Sequence, residues 1–318
     1  MSREGQPLVW VVTPVHNGEA YLGECIESVL AQTYDNWRYA VIDNRSTDGT
    51  AEVVLSYASR DSRISLHQND DFLPIMANWN HALSLLPPEA SYCKVVHADD
   101  TLFPDCLELM VRVAEAHPSV DIVTAYALWG REVRHDGYVP YPLELVDGRE
   151  ICRATLEGQC YVFGSPTSLL LRSGAVRARP AFYNEQNFHA DTEACFDVLR
   201  TADLGFVHQV LTRTRIHDEA MTSHASRVNT FHGGWLTILQ RYGRYYLDRD
   251  AFRRRWRRAV RRYAVFLAKA VVQGKFRDAA FRAHHRETTA LVWRSITRGG
   301  QAPTGAEPVD PARTATGE

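Results

Sequence analysis

What this chain leaves out narrows its function before any motif is read. Its six cysteines (Cys25, Cys93, Cys106, Cys152, Cys160 and Cys195) form no CxxC pair and no zinc-type spacing. In a chain of 318 residues that pattern implies reduced thiols in a reducing compartment, not a disulfide framework. No apolar run approaches the ~18 residues of a membrane span. The opening MSREGQPLVWVVTPVHN meets a proline too early to hold a signal-peptide core, so a cytoplasmic protein is expected. An excess of one charge is also missing, with 36 basic against 38 acidic residues. That balance argues against a general nucleic-acid binder and against an acidic disordered chain. No GxGxxG follows the first strand, and no glycine loop ending in lysine occurs, so the dinucleotide and P-loop readings lose most of their support. What remains is a chain with 45% hydrophobic residues, enough to build a sizeable core.

The hydrophobic pattern organises that core. LVWVVT (8–13) is a β-branched run ended by a proline, suited to a buried parallel strand. AYLGECIESVLAQ (20–32) sets Leu22, Cys25, Ile26, Val29 and Leu30 on one helical face. RYAVID (38–43) is a second strand, followed by the polar turn NRSTDGT (44–50) and a helix over 50–59 that Thr47 or Asp48 caps. A strand at 63–69, a helix at 76–86 and a strand at 92–98 continue the alternation. Strands alternating with helices predict right-handed crossovers and a parallel sheet covered on both faces. Function in such sheets gathers at the carboxyl ends of the strands. There sit TPVHN, DNRSTDGT and HADD.

The last of these, in VVHADDTLFP (95–104), sets Asp99 beside Asp100 just past an apolar run. Adjacent acids repel unless something positive lies between them. One reading is a solvated turn before a helix opening at Pro104. The other is a divalent metal held by oxygen ligands and bridging a phosphate-bearing substrate. Asp43 and Asn44 end the second strand, where a carboxylate and an amide can meet a base or ribose. A nucleotide laid across this edge, base at one end and metal at the other, fits the spacing.

The order TPVHNGEAYLGECIESVLAQTYDNWRYAVIDNRSTDGTAEVV, then NWNHAL, then HADDTLFPDCLE resembles the glycosyltransferase family 2 domain, strongly over residues 7–110 and more weakly to about 225. The resemblance implies an α/β GT-A fold, with a Rossmann-like, mostly parallel central sheet flanked by helices. It implies an inverting transfer from a nucleotide-diphosphate sugar, UDP- or dTDP-linked, to an acceptor hydroxyl, with Mn²⁺ or Mg²⁺ as cofactor. The product would belong to cell-surface glycan or glycoconjugate synthesis, on a glycan or lipid-linked acceptor.

Position by position, Pro14, His16 and Asn17 resemble the family's first nucleotide loop, with His16 where a tyrosine is usual. Asp43 matches the first acid after the second strand, and Asn44 stands where a second acid often reads the base. Asn80 lies in the NWNHAL block and Asp100 beside the metal acid, both on the donor side. Asp99 matches the last acid of the family's DxD and is the expected metal ligand. His97 takes the place of the first acid, and a histidine ligand suits Mn²⁺ better than Mg²⁺. FHADTEACFDVLR (188–200) resembles the block carrying the catalytic base, which assigns that role to Asp191, with Glu193 the competing carboxylate. VFGSPTSLLLR (162–172) resembles the acceptor-side segment, so Ser165 and Thr167 are expected to touch substrate. TRTRIHDEAMTS (212–223) resembles the closing loop: Arg215 or His217 would neutralise the leaving diphosphate, or His217 would ligate the metal.

Beyond the expected domain at 1–225 (donor half 7–110, acceptor half 111–225) lies a helical, arginine-rich extension at 226–297. AFRRRWRRAVRRYAVFLAKAVV (251–272) packs seven arginines into 253–262, with Trp256, Val260, Tyr263, Leu267 and Val271 on one face. Such a helix either packs as a solvated face or lies on an anionic membrane, which would place the protein peripherally on the inner membrane face. A second helix is expected at 277–293, and the Gly/Pro/Ala/Thr-rich tail 298–318 is expected to be disordered. Two rival functions use the same residues. A metal phosphohydrolase would draw on His217 and Asp218 but lacks a convincing further ligand set. A GT-A module without turnover would explain the replaced acids at 44, 97 and 190.

Overall fold

A computed structural model describes residues 5–135, 137–217 and 229–297. The chain divides into two compact units. The first comprises the residues up to Ile151 with Cys160–Gln186 and Ala190–Arg215; the second comprises Cys152–Gln159, Asn187–His189 and the residues from Ile216 onward.

The first unit is built on one mixed sheet. β1 (Leu8–Val15), β2 (Trp37–Asp43), β3 (Ile64–Gln68) and β4 (Ala90–Val95) run parallel in the order β3-β2-β1-β4. The sheet continues through β9 (Leu170–Arg172), β6 (Val120–Trp129), β10 (Asp203–Thr214) and the short β5 (Thr101–Leu102). β9 is antiparallel to both neighbours, while β6 and β10 pair in parallel. β7 (Glu132–Arg134) adds to β6, and β8 (Leu145–Val146) to β10. The flanking helices are α1 (Glu19–Leu30), α2 (Thr50–Ala58), α3 (Ile75–Ser84), α4 (Cys106–Ala116), α6 (Ser173–Arg177) and α7 (Ala190–Val198). α5 (Gly148–Glu157) falls partly in each unit. The sheet is mostly parallel and covered by helices, as expected.

The boundaries move in informative ways. β1 does not stop before Pro14 but runs to Val15, with Pro14 opposite Ile42 and Val15 opposite Asp43. Proline is tolerated there because the ladder ends within one residue. β4 stops at Val95, short of the expected 98, so HADD lies wholly in the turn beyond the strand. α4 opens at Cys106 with Asp105 as N-cap, two residues after Pro104. At α2 the N-cap is Gly49, while the Asp48 carboxylate accepts the Thr50 amide at 3.1 Å. One parallel register (Val15 with Asp43, Asp43 with Gln68, Val12 with Val95) brings these carboxyl ends to one edge.

In the second unit, α8 (Thr230–Tyr246), α9 (Arg249–Val272) and α10 (Ala279–Thr297) form the helical extension. Asp248 caps α9 by accepting the amides of Asp250 and Ala251. The buried face of α9 follows Trp256, Val260 and Tyr263 and then shifts to Ala270. Leu267 is half-buried and Val271 is 63% exposed, against the expectation for both. The reason is the 3.6-residue turn, which carries a stripe through 263 to 270 and leaves 271 a residue too far round. The tail 298–318 and residues 218–223 of the closing loop, Asp218 included, lie outside the described residues.

Trp256 is fully buried and its indole nitrogen donates to Ser295 Oγ at 2.8 Å. Trp256→Ala should therefore cost about 3–5 kcal/mol in urea unfolding. Val271→Ala should change stability by less than about 0.5 kcal/mol. Comparable losses from both would restore the original helical face.

Candidate donor and metal site

The edge defined by β1, β2 and β4 collects the chemistry. After β1, His16 and Asn17 turn outward, and Asn17 takes a left-handed φ of 53°. Its amide nitrogen donates to Ser46 Oγ at 2.8 Å and its side-chain oxygen accepts the Thr47 amide at 2.8 Å. Asn17 thus ties the first loop to the polar turn after β2. His16 meets the Asn44 carbonyl through Nδ1 at 2.9 Å and packs edge-on to Phe72, ring centroids 5.0 Å apart. Phe72 is 58% exposed, an aromatic surface beside the β1 and β2 ends that no sequence signal marked. Pro14 is buried behind it.

Asp43 is buried, with Oδ1 accepting the Ser46 amide at 3.0 Å and Oδ2 accepting Gln68 Nε2 at 3.1 Å. The Asn44 side chain is also buried and already engaged. Its oxygen accepts Asn69 Nδ2 and the Leu73 amide at 2.8 and 2.9 Å, and its nitrogen donates to the Leu73 carbonyl at 2.8 Å. In this arrangement Asn44 shapes the 69–73 loop. Reading a base would require it to release those bonds.

At the other end, His97, Asp99 and Asp100 set one ligand atom each within 4.8 Å of one another. His97 Nδ1 lies 4.0 Å from Asp100 Oδ2. Asp100 Oδ2 and His97 Nε2 are buried without a hydrogen-bond partner. Burial first, and then the Asp99 charge, pushes the Asp100 carboxyl up to about 7, against the Thr167 hydroxyl and the Arg215 backbone amide, which favour the ionised form. Burial holds the His97 imidazole below its ordinary value, opposed by Asp99. A neutral imidazole, two crowded carboxylates and orphaned buried donor atoms fit a divalent cation, which would supply the missing positive charge. Asp100 joins this cluster directly, beside the expected Asp99 and His97.

The support around the triad was not legible beforehand. Thr167 is fully buried rather than facing substrate; its Oγ accepts the His97 amide at 3.1 Å. Lys94, also fully buried, donates Nζ to the Thr167 carbonyl at 2.6 Å. Ser165 is half-buried, its hydroxyl oxygen without a partner. Arg215 crosses the same turn: its amide reaches Asp100 Oδ1 and its Nε reaches the Asp99 carbonyl, both at 3.2 Å. Glu24 pairs with its guanidinium, which lies over the Tyr21 ring at 4.7 Å. His217 is not among the three clustered ligands and belongs to the second unit.

A wall of aromatics leads from the triad to the expected base. Trp79 lies 4.7 Å from the His97 ring and 5.4 Å from Tyr183. Asn80 holds that tyrosine in place, accepting the Tyr183 amide at 2.8 Å and donating to the Tyr183 carbonyl at 2.8 Å. Burial first, and then the Asp191 charge, raises both Tyr183 and Tyr161 above the ordinary phenol range. Asp191 is half-buried at the start of α7. Glu193 is buried and bound by Asn184 Nδ2 at 3.2 and 3.1 Å through its two oxygens.

Fold and site together define a mostly parallel α/β sheet with a cation-suited cluster at the carboxyl edge of its strands. The sequence model of Glycosyl transferase family 2 matches residues 10–175, just over half of the chain, and the chain belongs to that family. EpsE of Bacillus subtilis is 35% identical over 156 residues, 47% of this chain and 55% of that relative. An uncharacterized glycosyltransferase of Rickettsia typhi is 24% identical over 238 residues, 74% of this chain and 72% of that protein. Among solved structures, S. aureus TarS 1–349 in complex with UDP-GlcNAc has a TM-score of 0.57 at 14% identity, covering 92% of each chain. The mannosyltransferase PcManGT of Pyrobaculum calidifontis, in complex with GDP-Man and Mn²⁺, also has a TM-score of 0.57 at 14% identity, covering 93% of this chain and 83% of that one. At such identities these two share the fold. The chain spans about half the length of EpsE.

Mn²⁺ at a hundredfold excess over its dissociation constant should stabilise the protein by about 2.7 kcal/mol, read as a rise in Tm. Asp99→Asn should lose most of that rise with its circular dichroism unchanged. Asp100→Asn should also lose it, yet melt higher than the parent without metal, because a buried charge with no counterion is removed. A parent-like Mn²⁺ shift in Asp99→Asn would exclude the metal role.

Proposed function

We propose that this chain is an inverting glycosyltransferase that moves a sugar from a nucleoside-diphosphate donor to an acceptor hydroxyl. The observation that carries the reading is the triad of His97, Asp99 and Asp100, with unpartnered buried ligand atoms at the same sheet edge as Asp43. In this reading Asp99, His97 and Asp100 hold a divalent cation, Mn²⁺ before Mg²⁺ because one ligand is nitrogen. When bound, the cation neutralises charge on the donor diphosphate as the sugar leaves. Arg215 holds the Asp99–Asp100 turn in shape and adds positive charge beside it. The base of the nucleotide lies at the other end, near Asp43 and against the exposed His16–Phe72 pair, with UDP- or dTDP-sugars favoured. The relatives' names support glycosyl transfer; a role in glycan assembly on a glycan or lipid-linked acceptor is part of this reading.

Asp191 is the general base in this reading. Its charge acts on Tyr183, which touches Trp79, whose ring in turn packs on His97. In this reading it serves the acceptor flank of the cation triad. Glu193 is engaged by Asn184 and serves to hold the 184 loop. The base takes the acceptor proton as the hydroxyl attacks the anomeric carbon from the face opposite the leaving diphosphate.

A panel of UDP-, dTDP- and GDP-sugars, each with and without Mn²⁺, is the direct test, read by donor hydrolysis and thermal shift. Asp191→Asn should lower turnover by ~10²–10⁴-fold and leave donor affinity nearly unchanged. Glu193→Gln should retain turnover. The reverse pattern moves the base to Glu193, and donor binding without turnover in the parent makes the chain a binding module.

A further inference from the structure

Five of the seven arginines of the basic run separate in the second unit by their surroundings. Arg255 turns inward and donates Nε to the Leu156 carbonyl at 2.8 Å. Arg253 pairs with Asp250 at 3.7 Å. Arg258, Arg261 and Arg262 instead line an open groove of about 650 Å³ together with Val265, Phe266, Lys269 and His232 of α8. Among the described residues, no carboxylate pairs with Arg258, Arg261, Arg262 or Lys269. The uncompensated field is felt by their neighbours. Burial first, and then Arg258 and Arg262, holds Arg255 below its ordinary value, and burial followed by Arg262 does the same to His232.

The same face carries apolar side chains. Positions 258, 262, 265, 269 and 272 recur at steps of four and three, which aligns them along one side of α9. On it Val265 is 49% and Val272 is 88% exposed. In water the clustered cations, though hydrated, repel one another, and the valines stay exposed. At an anionic bilayer both are satisfied, since phosphates take the cations and the valines reach the acyl boundary. A single-stranded nucleic acid would need open aromatic faces. Here the Phe266 ring is already stacked on His232, centroids 5.2 Å apart at 19°.

We propose that this groove binds the phosphate headgroups of an anionic bilayer and docks the protein through the Arg258–Val272 face of α9. The inference is independent of glycosyl transfer. The whole chain is tested by co-sedimentation with phosphatidylcholine vesicles and with vesicles in which about a third of the lipid is phosphatidylglycerol. The parent should pellet with the anionic vesicles alone and be released by added salt. Arg258→Gln/Arg262→Gln should weaken binding about thirtyfold. Arg253→Gln/Arg257→Gln removes equal charge from the other flank of the helix and should weaken it far less. Val265→Ser/Val272→Ser should weaken it at unchanged charge. Equal losses in the two charge-matched variants, or equal pelleting with neutral vesicles, would overturn the proposal. So would a Tm rise with inorganic phosphate that Arg258→Gln/Arg262→Gln abolishes, without pelleting on anionic vesicles; the groove would then serve a free anion.

Discussion

Two carboxylates held side by side, one of them buried, are the constraint around which the first unit is arranged. Asp99 and Asp100 repel, and Asp100 keeps an oxygen with no partner. Like charges at that range cost stability unless a cation joins them, and they persist side by side only where the backbone forbids their separation. The backbone here is pinned from several sides. Asp100 N bonds to the His97 carbonyl at 3.0 Å, Arg215 bonds to both aspartates, and Thr167 holds the His97 amide. Lys94 fixes Thr167 from inside the core, where a lysine persists because its ammonium has a carbonyl to bind. The turn is thus preorganised for a positive charge, at the cost of a strained electrostatic state without one.

The same pinning explains how donor and acceptor sides are joined. β4 delivers His97, α3 delivers Trp79 and Asn80, and the segment before α7 delivers Tyr183 and Asn184. Asn80 clamps the backbone of Tyr183, Trp79 touches both His97 and Tyr183, and Asn184 reaches forward to Glu193. Carboxylates only two residues apart on α7 therefore have unlike environments: Glu193 is buried and anchored, and Asp191 is half-buried beside two tyrosines. Environments that differ in this way set two neighbouring carboxylates apart in what each is free to do.

Some of this was legible in the residues and some was not. The alternation of runs and turns announced the parallel strands, and HADD announced the clustering of His97, Asp99 and Asp100, because both signals are local. Asn44 looked like a base reader from its place after β2. Its amide is instead engaged by Leu73 and Asn69, partners more than twenty residues away that no local pattern indicates. Thr167 looked substrate-facing within its block, yet a lysine in β4 and the histidine beyond it draw it into the core. Phe72 gave no motif at all, and Trp79 stood within NWNHAL without a role, since an aromatic residue takes its role from what faces it.

By itself the sequence determined the kinds of element, their order, and which polar clusters would stand at strand ends. Those properties follow from periodicity and from residues whose own backbone preferences mark turns and caps. Only the tertiary structure decided which polar atoms find partners and which are left over. It gathered Asp100 with Asp99 and His97, withdrew Asn44, anchored Glu193, and sorted five of seven similar arginines into an inward one, a paired one and a set of three lining a groove. Such choices depend on distances between residues far apart in the chain. A side chain's chemistry is set by the neighbours that burial imposes on it, and composition and spacing do not specify those neighbours.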